Sequence, residues 1–353
     1  MHDDASLWEV LEDEPGYGPE RWTSAAWLAG ARAWIIGKVA DLGHVVNGEI
    51  EQPHVRWWST VLRVPTTDGV VWFKASGPTG IFESRLDALL SSGWPDASAQ
   101  VVAADTDRGW MLARDAGVRL RDVEGGRAPV EHWSEVLPRY AEIQVGLGNQ
   151  QAKLRDLGVP DLGLARLPGL LRTLLEQPDL LGSEANGGLS RDDFARIRAR
   201  VAEFGDRCRR LSAMGIPESL QHDDLHDGNV FVRDGGYVIF DWGDACLSHP
   251  FHTLVVTLRS LAYSKGWAPG GPEVTRLRDA YLEPWGSFGS ASDLLEAAEL
   301  ARRTGTVQRS IAWARLIASL PAVARAEDVE TISYGLRLYL LDGPFGSWDD
   351  GTF

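Results

Sequence analysis

Three side chains able to hold a metal ion or move a proton, Asp224, Asn229 and Asp241, fall within one short stretch, His222-Asp223-Asp224-Leu225-His226-Asp227-Gly228-Asn229 followed by residues 230–241. Residues 230–233 and 237–240 are apolar runs on either side of Asp234-Gly235-Gly236, a pattern that predicts two strands and a tight turn. Counted from Gly235, Asn229 and Asp241 are equidistant, so antiparallel pairing is expected to set them side by side at the open end. A carboxylate beside a carboxamide suits Mg²⁺, which takes few protein oxygens and leaves room for phosphates. Asp224 lies upstream in a polar loop, where a second carboxylate could accept a proton from a nucleophile. The combination points to phosphoryl transfer. The competing reading is an Asp/Asn/Gly-rich turn that solvates an ordinary hairpin.

The motif His222-Asp-Asp-Leu-His-Asp-Gly-Asn229, with Phe240-Asp-Trp-Gly-Asp244, resembles the catalytic loop and metal site of the kinase-like aminoglycoside phosphotransferase superfamily, small-molecule relatives of protein kinases. The resemblance implies an α+β, bilobal protein-kinase-like fold. A small antiparallel-sheet N-terminal lobe would cover residues 1–114, and a larger, mainly helical C-terminal lobe with the catalytic hairpin residues 115–353. It implies ATP and Mg²⁺ as cofactors, Asp224 as catalytic base, and Asn229 and Asp241 as metal ligands.

The elements that must position these groups can be read around them. Residues 19–41 carry apolar side chains at three- and four-residue steps, as in a helix that covers a sheet or braces two domains. From residue 44 the period becomes two, predicting strands over 44–50, 58–65 and 70–75, the last two joined at Thr67-Asp68-Gly69. Lys74 stands in the third of these, where a strand lysine alone would mark an edge or reach outward to solvent. Nine residues on, Glu83 opens a helical pattern. The resemblance makes this pair the one that aims an ammonium at the α/β-phosphates of ATP. No G-x-G-x-x-G is present; the phosphate-covering loop is expected within 51–60, with backbone N–H groups and the Ser59 and Thr60 hydroxyls in its place. Strands are expected over 99–104 and 109–114, with the hinge that meets the adenine edge at 112–114. Helices are expected over 130–147, 163–177, 190–215, 251–263, 291–303, 305–319 and 326–341. The break at Gly305 would leave Gln308, Arg309 and Trp313 near a helix start.

Composition bounds the rest. A length of 353 residues allows two or three domains, and 44% hydrophobic with 24% charged residues is the profile of a globular protein. A net charge of −15 argues against a nucleic-acid groove. The two cysteines, Cys208 and Cys246, form no disulfide framework. No apolar run is long enough to span a bilayer, and the start lacks the features of a signal peptide, so no membrane partner and a cytoplasmic location are expected. The return from Asp241 to the next helix is short and lacks an A-P-E signature, so the acceptor is expected to be a small molecule and not a protein. Residues 57–64 and the catalytic motifs also resemble actinobacterial sugar kinases that phosphorylate glucosamine. That resemblance implies glucosamine 6-phosphate as product. Another sugar, an aminoglycoside or an amino alcohol would use the same machinery, and a nucleotide-binding pseudokinase is the non-enzyme alternative. His226 is a candidate for contact with phosphate or for bracing the loop, Asp244 for assisting metal or substrate, Asp223, Asp227, Asp244 and Glu131 for receiving an ammonium, and Trp313 for stacking on a sugar.

Overall fold

The computed structural model describes residues 18–123, 126–182 and 187–348, which divide into two compact units. One comprises residues 18–123 with 228–243, and the other the remaining described residues. The division groups the 228–243 hairpin with the sheet-bearing segment and not with the helices around it in sequence. The architecture is α+β and protein-kinase-like, an antiparallel-sheet unit and a largely helical one.

The sheet unit is built on five strands, β1 (Glu51–Val55), β2 (Ser59–Thr66), β3 (Gly69–Ser76), β4 (Val101–Asp105) and β5 (Trp110–Arg114), in the order β1-β2-β3-β5-β4 with every pairing antiparallel. Side chains alternate faces along a strand. Val71, Phe73 and Ala75 of β3 therefore join one buried apolar cluster, while Lys74 and Ser76 point to the opposite face. The expected helix over 19–41 is two helices, α1 (Pro19–Trp22) and α2 (Ala25–Asp41), because the Ser24 side chain caps the second by accepting from Trp27 N. Ala31, Ile35 and Val39 of α2 pack into the same cluster as Phe73. Trp27 and Trp34 meet Phe73 and Trp110 with ring centroids 5.7–6.3 Å apart. The N-terminal helix is thus a cover of the sheet.

The strand expected over 44–50 lies instead at 51–55, and the earlier segment contributes one bridge, Val46 to Thr66. Residues 51–55, expected within the phosphate-covering loop, form β1 despite Pro53, because a missing N–H on an edge strand costs no ladder bond. The connection to β2 shrinks to a tight turn in which Arg56 N donates to Ser59 O at 2.8 Å. Helix α3 (Glu83–Gly93) follows β3. A second, three-stranded sheet joins β6 (Val118–Arg119) to the hairpin strands Val230–Arg233 and Gly236–Ile239.

The helical unit holds α4 (Pro129–Leu147), α5 (Gln151–Asp156), α6 (Leu167–Leu175), α7 (Pro178–Leu181), α8 (Arg191–Ala199), α9 (Val201–Ala213), α10 (Thr253–Lys265), α11 (Pro272–Leu282), α12 (Ala291–Ala318) and α13 (Ala322–Leu341). Part of the segment between α7 and α8 lies outside the described residues. The helix expected over 190–215 is interrupted at Arg200. The break expected at Gly305 is absent, and α12 runs straight through it. A Cβ there would come within 2.8 Å of Val255 Cγ2 and 3.1 Å of His252 Cδ2, so this glycine serves close helix packing. Cys208 and Cys246 are both buried free thiols.

Candidate active site

In the sheet unit, Lys74 Nζ donates to Glu83 Oε1 at 2.6 Å and to Asp241 Oδ1 at 2.5 Å. Strand β3 and helix α3 set the first contact, and the end of the hairpin sets the second. Glu83 is held from its other oxygen by the Ser76 hydroxyl at 2.8 Å. Burial works against charge on Lys74, but Asp241 and Glu83 outweigh it and hold the ammonium protonated above the ordinary lysine range. Burial raises the Glu83 carboxyl, and the Lys74 charge opposes that rise. The exposures are unequal: the Lys74 and Glu83 side chains are 8% and 1% accessible, whereas that of Asp241 is 52% accessible. One carboxylate is therefore locked inside, and the other is accessible to solvent.

The hairpin geometry corrects the expected register. Asp234 and Gly235 both have positive φ, 52° and 80°, which makes a two-residue turn of the kind that matches strand twist. Val230 consequently pairs with Ile239, and Asn229 O accepts from Phe240 N at 2.9 Å. Asn229 thus faces Phe240, and Asp241 lies one residue beyond. Asp241 itself has φ 64°, a left-handed conformation that costs a non-glycine residue on the order of 1 kcal/mol.

No group of three or more His, Cys, Asp and Glu side chains able to hold a metal occurs among the described residues. Mg²⁺ in a phosphoryl-transfer site does not require one, because phosphates and water complete its shell. The half-exposed Asp241 carboxylate and the Asn229 carboxamide are hard oxygen donors of the right kind. Ser59 and Thr60, expected at phosphates, lie buried on β2, where the Thr60 hydroxyl donates to His54 O at 2.7 Å. Leu112 and Ala113, expected in a hinge, are paired with strands on both sides. Asp87, one turn after Glu83, escaped the sequence reading. It is 1% accessible, neither of its oxygens meets a donor among the described residues, and burial together with the Glu83 charge pushes it well above the carboxylate range.

In the helical unit, the catalytic-motif loop is anchored before it reaches Asp224. Tyr140 of α4 accepts from His222 N at 2.8 Å, His222 Nδ1 accepts from Asp224 N at 3.3 Å, and Thr257 of α10 donates to Leu225 O at 2.8 Å. Asp224 Oδ2 lies 3.3 Å from His226 Nε2, while Oδ1 accepts from Arg309 Nη2 at 3.0 Å. Burial alone would raise the Asp224 carboxyl, but the His226 hydrogen bond and the Arg309 charge prevail and hold it well below the usual range. Arg309 Nη1 also donates to Asp223 Oδ2 at 3.2 Å and to Asp244 Oδ2 at 3.1 Å, and the guanidinium lies 5.1 Å from the Trp313 ring centre. Asp223, fully buried with φ 64°, is pushed up to about 6 by burial, with Arg309 opposing the rise.

Of the acidic groups expected to receive an ammonium, Asp223 and Asp244 are engaged by Arg309, Asp227 by Lys265 at 3.1 Å, and Glu131 by the N-terminus of its own helix. Trp313 packs on Arg309, the residue that sequence reasoning left without a role.

Residues 97–300, more than half of the chain, match the model of the phosphotransferase enzyme family APH. The chain belongs to that family, and with it to the superfamily of aminoglycoside, choline and fructosamine kinases, ATP-dependent phosphotransferases of small molecules. No curated protein sequence matches it significantly. Among solved structures it is similar to an ethanolamine kinase of Plasmodium vivax, at 14% identity over 94% of this chain and 95% of that one, with a TM-score of 0.61. It is also similar to a choline kinase of Cryptosporidium parvum, at 11% identity over 88% and 95% of the two chains with a TM-score of 0.58. The choline kinase LicA of Streptococcus pneumoniae gives 13% identity over 88% and 100%, with a TM-score of 0.54. At these identities the likeness is one of fold. No helix among the described residues is long and apolar enough to cross a membrane.

Proposed function

We propose that the protein transfers the γ-phosphoryl group of ATP to a hydroxyl of a small, amine-bearing acceptor: an aminosugar, an aminoglycoside or an amino alcohol. The observation that carries the phosphoryl-transfer part is the chain Glu83–Lys74–Asp241, a buried ion pair extended to a half-exposed carboxylate. In this reading Glu83 fixes the Lys74 ammonium, which holds the α/β-phosphates. Asn229 and Asp241 would hold Mg²⁺, which would supply charge to offset that of the phosphates. Lys74 exchanges its contact with Asp241 for phosphate oxygens as the nucleotide enters. Asp224 orients the acceptor hydroxyl and takes its proton late, since a carboxylate held this far below its ordinary range is a weak base. His226 steadies Asp224 from its second oxygen.

The acceptor class rests on family membership and on fold likeness to ethanolamine and choline kinases. Glucosamine is the particular acceptor favoured by the sequence resemblance of residues 57–64 and the catalytic motifs, with glucosamine 6-phosphate as product. The engagement of Asp223, Asp227 and Asp244 by internal cations removes them as a ready ammonium site. A ³¹P assay with Mg-ATP and a panel of glucosamine, glucose, kanamycin, ethanolamine and choline decides the class. Transfer to amine-bearing members and not to glucose supports it, and transfer to glucose alone would refute it.

A further inference from the structure

Arg309 lies in the middle of the longest helix, and its three acidic partners are 65 to 86 residues away in sequence. Its side chain is 11% accessible, so its contacts are little screened by solvent. Both terminal nitrogens are engaged: one reaches Asp224, and the other is shared between Asp223 and Asp244. The Trp313 ring restricts the guanidinium further. Asp223 and Asp224 belong to the catalytic-motif loop, and Asp244 to the segment after the hairpin, so one side chain ties two separate stretches together.

We propose that Arg309 is a positioning residue for phosphoryl transfer: it fixes the Asp224 carboxylate in one orientation, ionised, with only its remaining lone pairs available to the acceptor hydroxyl. The inference rests on the reading of Asp224 as the proton acceptor. A guanidinium suits the task because its planar fork addresses several carboxylates at set angles, which the compact ammonium of a lysine does not. It also offsets the burial of Asp223, whose left-handed backbone and inaccessible carboxylate would otherwise favour a rearranged or protonated loop. The arrangement trades basicity for orientation. Such a trade is tolerable where proton transfer is late, as in a loose phosphoryl-transfer step.

The charged and titratable groups around Asp224 are His222 and His226 from its own loop, Arg309 from α12 and Arg259 from α10. Asp223 and Asp244 reach it through Arg309. Removing Arg309 leaves His226 and His222 alone to oppose burial at the Asp224 carboxyl, so the ionised base is lost at a higher pH than in the wild type.

The test compares Arg309→Ala, Arg309→Lys and Asp224→Asn with wild type, using Mg-ATP and the best acceptor of the panel, across about pH 5 to 9. For Arg309→Ala the expected kcat is about ten- to a hundred-fold lower, with KM for ATP within about twofold of wild type. Its acid limb moves upward, and added methylguanidinium restores part of the rate. Arg309→Lys, which keeps the charge without the fork, recovers part of kcat. A purely structural role would lower kcat equally at every pH and give no chemical rescue, and that result overturns the proposal. If Arg309→Ala does not fold, Arg309→Lys decides: a lower kcat with a displaced limb supports the proposal, and unchanged values refute it. If Asp224→Asn is fully active, the underlying reading of Asp224 fails. If Asp224→Asn is inactive while the Arg309 variants match wild type, only the role of Arg309 fails.

Discussion

Two charge knots dominate the molecule, and they are built on opposite plans. In the sheet unit one lysine bridges two carboxylates, one sealed in and one half-exposed. In the helical unit one arginine gathers three carboxylates, and no more than a third of any of these side chains is accessible. Lysine is a compact point charge on a flexible stem, able to leave one partner for another, whereas arginine's planar fork fixes its partners relative to each other. The difference fits the proposed division of labour, in which the first knot opens to admit phosphates and the second holds a base still.

The comparison can be broken at either end. The largest effect is expected from Asp241→Asn, which weakens the half-exposed partner of Lys74 and removes the proposed carboxylate donor to the metal. Its kcat should fall by about a thousand-fold or more, with a raised Mg²⁺ requirement in a titration of rate against metal. Lys74→Met should raise KM for ATP and, by leaving Glu83 buried without its cation, cost about 3–5 kcal/mol of stability in urea unfolding. The double variant Lys74→Met/Glu83→Gln should lose clearly less than the sum of its singles, because the pair is coupled.

The helical knot has a pH signature. The Asp223 carboxyl is raised in the folded state, so the folded form binds the proton more tightly and ionisation costs stability. The penalty is absent below the unfolded value, develops between about pH 4 and about 6, and is fully present above. Wild type should therefore lose up to about 3 kcal/mol relative to Asp223→Asn across that window, measured by paired unfolding curves. Gly305→Ala, which pushes α12 against Val255 and His252, should cost about 1–3 kcal/mol and disturb the helix that carries Arg309. The smallest effect is expected in the sheet unit: Asp87→Leu replaces a buried carboxyl that meets no donor among the described residues and should raise stability by about 1 kcal/mol in thermal melts. A loss there would mean that Asp87 has a partner in solution.

The sheet knot was legible in the sequence and the helical knot was not. Lys74 interrupts an apolar strand and Glu83 opens a helix, so local pattern singles out both, and the resemblance joins them to Asp241. The hairpin was also visible, although its register depended on which residues take positive φ at Asp234-Gly235, and counting alone misplaced Asn229. The edge strand β1 lay hidden in the stretch expected to cover phosphates, between strands expected over 44–50 and 58–65. Gly305 hid the continuity of α12 by looking like a break, although it is a close-packing site between helices. With that helix cut in two, Arg309 had no visible relation to partners as far as 86 residues upstream. Long-range convergence on one side chain leaves no periodic trace, which is why Asp223 and Asp244, expected to await a ligand, are held already by Arg309.

The most direct test of the account is the rate of γ-phosphoryl transfer from Mg-ATP to the best acceptor by Asp224→Asn, followed by ³¹P resonance. The account predicts at least about a hundred-fold loss relative to wild type, with nucleotide binding retained. Transfer at the wild-type rate would contradict it.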